Sequence, residues 1–169
     1  MKQKRILIAA TLALVAALFT ACGIYSFTGA SYGTAKTVSI DYFQNRSTYV
    51  NATLSSKITE DLKDRFMSQT PLSLVKDNGD LHFEGTITGY TITTAAIKSG
   101  ETAANNRLTI TLKVTFTNQT APENDFDKSY ARYADYDVSS AFSSVESALV
   151  DEIVEQLIDD IFNDSVVNW

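Results

Sequence analysis

Cysteine and histidine, the two side chains that most often carry chemistry, occur once each in this chain, as Cys22 and His82. A lone cysteine has no internal disulfide partner, and one thiolate is a poor metal site. His82 sits among alternating apolar and polar residues, on the polar side. As a general base or metal ligand it would need partners. With no second histidine and the cysteine committed elsewhere, it reads as a solvated strand residue, and no metal site is expected. Carboxylates are plentiful, and Asp159–Asp160 or Glu152 with Glu155 could form an acid–base pair. They fall on the polar side of an amphipathic helix, where acidic residues are the usual solvated face. The sequence shows no phosphate loop, nucleophile elbow or histidine-rich helix. The expectation is a non-enzyme with no catalytic residues and no cofactor.

The surroundings of Cys22 give it another use. Lys2, Lys4 and Arg5 form a basic head, Ile6 to Phe19 an apolar run of 14 residues, and Thr20 and Ala21 lead into the cysteine. A bilayer-spanning helix needs about 20 apolar residues, so the run matches the apolar part of a secretory signal. A signal ending "TAC" resembles a bacterial lipobox, although Phe19 stands where leucine is commonest. In such processing the thiol is diacylated, the chain is cut before it, and the new amino terminus is usually acylated. Residues 1–21 are therefore expected to be a lipoprotein signal peptide and Cys22 the lipidated first residue. The alternative is an ordinary signal followed by a free or buried cysteine, and an exposed thiol is a liability in an oxidising compartment.

Removing 21 of 169 residues leaves 148, enough for one domain with one core. Three of the 14 basic residues leave with the signal, so 11 remain against 20 acidic ones, a net charge near −9. That balance excludes a nucleic-acid binder, which needs basic surface to displace counterions. Bulk charge does not draw the chain to anionic lipid either. The acyl chains would anchor it, each buried methylene contributing about 0.8 kcal/mol.

Residues 22–36, rich in Gly, Ser, Thr and Ala, read as a lipidated tether, and residues 37–169 as a single domain. Val38, Ile40 and Tyr42 alternate with Ser39, Asp41 and Phe43 as a first strand. A helix beginning at Asn51 carries Leu54, Ile58, Leu62 and Phe66 on one stripe, with Asp61 and Arg65 spaced as an i,i+4 pair, and ends at Thr70–Pro71. After a short extended piece, the turn signal Asp77–Asp80 introduces a second strand, in which apolar parity flips at Gly89, the mark of a bulge. Leu108 to Thr117 alternates throughout: one face wholly apolar, the other wholly polar. Phe126 to Asp137 is a fourth strand, rich in tyrosine. Tyr130, Tyr133 and Tyr136 could form a glycan-binding surface, but their spacing sends them to both faces, which favours strand and core roles.

Ser143 to Phe162 is the strongest helix, with Ser143 and Glu146 spaced as a capping box. Near its end, Asp164–Ser165–Val166 resembles an O-glycosylation acceptor of exported proteins in the Bacteroidota, although a frayed helix end also accounts for it. The order strand, helix, three strands, helix predicts an α+β two-layer sandwich: a mixed four-stranded sheet with two α-helices packed on one face.

The runs "CGIYSFTGAS" (22–31), "TVSIDYFQNR" (37–46), "NRLTITLKVTFTN" (106–118), "YARYADYD" (130–137) and "VEQLIDDIFNDSVVNW" (154–169) together resemble the LptE lipopolysaccharide-assembly lipoproteins, in their Bacteroidota-type branch. The resemblance implies an outer-membrane lipoprotein facing the periplasm that carries palmitate-type acylation on Cys22. It implies a partner, the LptD β-barrel, within which such proteins sit as plug and assembly factor while lipopolysaccharide is inserted into the outer leaflet. It also implies a mixed sheet with two helices on one side. In this lineage an acidic stretch after the cysteine marks surface export, and "GIYSFTGAS" has none, which implies retention on the periplasmic side. A barrel lumen is wet and polar, so a plug needs polar surfaces. Lys98, Arg107, Lys113 and Arg132 are the candidate lipopolysaccharide contacts, as charge-assisted donors to phosphate, or else ordinary solvent charges. The loop from Ala95 to Asn105 is the candidate for insertion into the barrel. The alternative function is a stand-alone periplasmic lipoprotein that binds a lipid or glycan.

Overall fold

The computed structural model describes residues 33–49, 51–95 and 105–166. The elements are β1 (Thr37–Ile40), β2 (Gln44–Asn45), α1 (Leu54–Gln69), β3 (Ser73–Leu74), β4 (Leu81–Ala95), β5 (Asn105–Asn118), a 3₁₀ turn (Pro122–Asn124), β6 (Phe126–Asp137) and α2 (Phe142–Val166). They form one mixed sheet in the order β3-β1-β4-β5-β6, with β2 paired to β4 beyond the end of β1. β1 is parallel to β3 and β4, β2 is parallel to β4, and β4, β5 and β6 form an antiparallel meander. α1 supplies the crossover that parallel pairing requires.

The predicted α+β sandwich is present, but the sheet has six strands where four were expected. The additions, β2 and β3, are two residues each, too short to carry a period. The first strand also ends earlier than its alternation suggested. β1 stops at Ile40, Tyr42 is 54% exposed, and Phe43 is fully buried. In β4 the register shifts between Ile87 and Gly89, where the apolar parity flips, so Phe83 and Tyr90 both face the core.

Leu108, Ile110, Leu112, Val114 and Phe116 of β5 are all fully buried against the helices. The α1 stripe Leu54, Ile58, Leu62 and Phe66 meets Ile153, Leu157 and Ile161 of α2 in the same core. A run of aromatic contacts crosses both layers. Phe66 lies 5.1 Å from Phe83 and from Phe162, Phe83 lies 4.7 Å from Phe116, and Phe116 lies 5.1 Å from Phe126. Such tilted and edge contacts suit the ring quadrupoles.

Asn51 does not start the first helix. The helix begins at Leu54 after an N-cap at Thr53, and Asn51 lies just ahead of it, its Oδ1 accepting from the Thr53 and Leu54 amides at 3.1 Å each. The predicted partner of Arg65 is also different. Asp61 pairs with Lys57 at 3.0 Å, while Arg65 reaches across to Asp159 of α2. Lys57 also reaches Asp151 at 2.9 Å, and that carboxylate raises the ammonium pKa. The capping box is likewise replaced by a tertiary role. Glu146 Oε1 accepts from Asn51 Nδ2 at 2.8 Å and Tyr90 OH at 2.7 Å, joining the starts of both helices to β4.

The turn before β4 is clipped to the start of β1. Asp80 Oδ2 accepts from the amides of Lys36 (2.8 Å) and Thr37 (3.0 Å) and from Thr37 Oγ1 (2.9 Å). These bonds, the Lys36 amide foremost, hold its carboxyl below the usual range. Asn78 takes a left-handed φ of 54°. Gly79 packs so closely that a Cβ would lie 2.5 Å from the Ser39 amide nitrogen. None of the described helices is long and apolar enough to cross a membrane.

Candidate functional site on the outer face of the sheet

Both helices cover one face of the sheet, and the other stays open. Alternation along β4 and β5 dictates its composition. Thr86, Thr91 and Thr93 of β4 stand beside Thr109, Thr111, Thr115 and Thr117 of β5, across paired registers such as Thr91 with Thr109. β-branched hydroxyl side chains hold strand geometry while presenting donors and acceptors to solvent. Asp127, Ser129, Tyr133 and Asp135 continue this surface on β6.

Two cations on this face, Arg107 and Lys113, are held in pairs. Arg107 and Asp135 are direct cross-strand partners, with Nε and Nη2 donating to the two carboxylate oxygens at 2.7 and 2.8 Å. The guanidinium also lies 3.6 Å over the half-exposed ring of Tyr133. The Asp135 hydrogen bond raises the Arg107 pKa further, so this cation is permanent. Lys113 pairs with Asp127 at 3.0 Å, one step diagonally across the ladder, both side chains 54% exposed.

Of the four candidate basic residues, the structure places Arg107 and Lys113 together on the outer face. Arg132 is on the helix side of β6. Its Nε and Nη2 donate to Asp160 at 2.6 Å each, and that carboxylate raises its pKa. The remaining two site residues, Lys98 and Cys22, lie outside the described residues, as does most of the candidate loop. The stem of that loop is visible as β4 and β5 paired out to Ala95 and Asn105, with Thr91 to Thr94 exposed on both faces, so this end of the hairpin extends past the helix layer.

Of the three tyrosines, Tyr130 and Tyr136 face the core and only Tyr133 reaches the outer face. Tyr130 OH donates to Asp164 at 3.0 Å, and burial, then that carboxylate, push its pKa up. Ser165 is in a helical turn, not a frayed end. It is buried, and its hydroxyl donates to the Phe162 carbonyl at 3.0 Å.

Sequence reasoning missed the groove where β2 meets the outer face. It encloses about 540 Å³ and is lined by residues including Tyr42, Gln44, Arg46, Glu84, Thr86 and Lys113. Arg46 is exposed and makes no ion pair with the described residues, so within this groove it is the cation open to an anionic ligand, whereas Lys113 is held to Asp127. No periodicity could have revealed it, because it depends on the pairing of Gln44 with Thr86 and Asn45 with Ile87. A polar face with the Arg107–Asp135 pair toward one end and a groove lined in part by Lys113 at the other suits recognition of a polar partner.

No curated protein matches the sequence. The sequence does match the family LptE, described as "Lipopolysaccharide-assembly", over residues 35–165. Among solved structures, it is similar to a minor lipoprotein from Acinetobacter baumannii at 14% identity, covering 79% of this chain and 98% of that one, with a TM-score of 0.49. A hypothetical protein from Chlamydia trachomatis shares 10% identity over 78% of this chain and 98% of its own, with a TM-score of 0.51. A putative neuraminyllactose-binding hemagglutinin homolog from Helicobacter pylori shares 7% identity over 81% and 86%, also at 0.51. At such identities the last two likenesses establish the fold alone.

Proposed function

We propose, on the premise that this chain belongs to the LptE lipopolysaccharide-assembly family, that it partners an LptD-type outer-membrane β-barrel as plug and assembly factor. In this reading the protein is attached to the outer membrane by lipid on Cys22 and faces the periplasm. Its work is binding and placement, not catalysis. The observation that carries the reading is the open outer face: threonine-rich, with Arg107 paired to Asp135 and Lys113 to Asp127. Such a surface can lie against the polar interior of a barrel with Arg107 and Lys113 already charge-compensated. The exposed end of the β4–β5 hairpin supports the Ala95–Asn105 loop as the segment that enters the barrel. Arg107 and Lys113, joined by Arg46, are the cations through which the outer face would meet lipid A phosphates. Arg132, held to Asp160 on the helix side, is not part of that set.

The test is affinity purification of the tagged full chain from gently solubilised outer membranes. A large β-barrel should co-purify in near-stoichiometric amount, and depletion should lower surface lipopolysaccharide while its synthesis at the inner membrane continues. Recovery of the protein alone, with unchanged surface lipopolysaccharide, overturns the reading in favour of a solitary lipid or glycan binder. Attachment has its own test. Cys22→Ala should yield an uncleaved or soluble protein, and continued acyl labelling of that variant would rule out Cys22 as the anchor.

A further inference from the structure

We propose that Asp41, His82 and Glu84 form a divalent-cation site at the rim of the outer-face groove. The parallel register of β1 and β4 assembles it. Ser39 lies opposite His82 and Ile40 opposite Phe83, and the Asp41 amide donates to the Phe83 carbonyl at 2.9 Å. That bond brings Asp41 alongside Glu84, which shares the outer face with His82 two residues earlier. One donor atom from each side chain lies within 4.8 Å of the others. His82 Nε2 is 3.4 Å from Glu84 Oε1 and 3.9 Å from Asp41 Oδ2. Ligands about 2.1 Å from a tetrahedral cation are themselves about 3.4 Å apart. The histidine–glutamate spacing already fits, and the half-exposed Asp41 needs only a small rotation to close.

A residue outside the cluster aims the imidazole. His82 Nδ1 lies 2.8 Å from Ser39 Oγ, and Ser39 is fully buried, its oxygen accepting from the Gly79 amide at 3.0 Å. In the tautomer protonated at Nδ1, that N–H donates to Ser39 Oγ and Nε2 presents its lone pair between the two carboxylates. Metal-bound histidines are oriented by this kind of outer hydrogen bond. The closely packed turn at Gly79 is what holds the serine oxygen in place. Two carboxylates and a neutral imidazole match a 2+ ion in charge. The imidazole selects zinc-like transition ions over magnesium and calcium, which prefer all-oxygen sites. The carboxylates are 49% and 63% exposed, leaving the remaining coordination positions to water.

Because His82 is the chain's single histidine, its ring resonances are unambiguous. The experiment is a zinc titration of the ¹⁵N-histidine-labelled full chain in detergent micelles, with magnesium as the contrast. The Nε2 resonance should shift and saturate near one equivalent of zinc, and magnesium at the same concentration should leave it unmoved. Asp41→Asn and Glu84→Gln, with unchanged circular dichroism, should each raise the zinc needed for half-saturation at least about tenfold. A ring that does not respond to zinc overturns the proposal. So does a response that survives both carboxylate substitutions unchanged.

Discussion

Gly85→Ala places a methyl group where the ring of Phe43 already sits. An added Cβ would lie 2.0 Å from Phe43 Cε1 and 2.3 Å from Cδ1 and Cζ, against about 3.5–4.0 Å for carbon atoms in contact. The ring would have to retreat by about 1.5 Å. Phe43 is fully buried and its amide donates to Thr59 Oγ1 at 3.1 Å, so α1 blocks a simple shift of the backbone. The lower bound is the strain of overpacking, about 1–3 kcal/mol. The upper bound is reached if the ring is expelled, which costs no more than Phe43→Ala itself, about 3–5 kcal/mol. Urea denaturation followed by circular dichroism should therefore place Gly85→Ala between about 1 and 5 kcal/mol below the parent. In Phe43→Ala/Gly85→Ala the new methyl enters the vacated space, so the double variant should be less destabilised than the two singles added together, by at least about 1 kcal/mol. A Gly85→Ala protein within about 0.5 kcal/mol of the parent, or strictly additive singles, would refute this account of how β2 and its groove are positioned.

Glu146→Ala leaves Tyr90 OH and Asn51 Nδ2 without their shared acceptor and should cost about 1–3 kcal/mol, with Glu146→Gln losing less, measured by the same denaturation. Burial, and then the carboxylates of Glu146 and Asp164, raise the pKa values of Tyr90 and Tyr130. The folded state thus prefers the protonated phenols, and their contribution is complete below about pH 10 and lost as pH rises above it. Calorimetric midpoints should fall steeply from there, with a shallower fall in Tyr90→Phe/Tyr130→Phe. Asp80 behaves in the opposite sense. Its lowered pKa gives stability that is present above about pH 4 and lost as pH falls through the folded-state value. Asp80→Asn should lower the thermal midpoint at neutral pH and flatten the acid limb of the profile, and an unchanged limb would count against the clip.

How much of this was legible depends on how far apart in sequence the deciding residues lie. The stripe Leu54–Ile58–Leu62–Phe66 and the alternation of β5 are local, and both elements stand where the pattern puts them. The parity flip at Gly89 announced the bulge for the same reason. Phe43 was misplaced because its burial depends on the missing side chain of Gly85, which only the fold brings beneath it. Arg65 was paired along its own helix, yet its partner comes from α2. The candidate cations show the same limit. Arg107 and Arg132 read alike in sequence, and only the register of β5 with β6 sends one to the outer face and the other to the helices. Asp41 and His82 are 41 residues apart, and a parallel ladder makes them neighbours. The polar face itself was plain in the sequence. Its burial pattern adds a physical constraint: with both helices already placed on the opposite side, the threonine ladder of β4 and β5 has no internal partner left among the described elements. Paired charges and hydroxyls lose little on meeting another wet surface and gain little from an apolar one. That asymmetry argues that a partner for this face is itself polar, as the barrel interior proposed above would be.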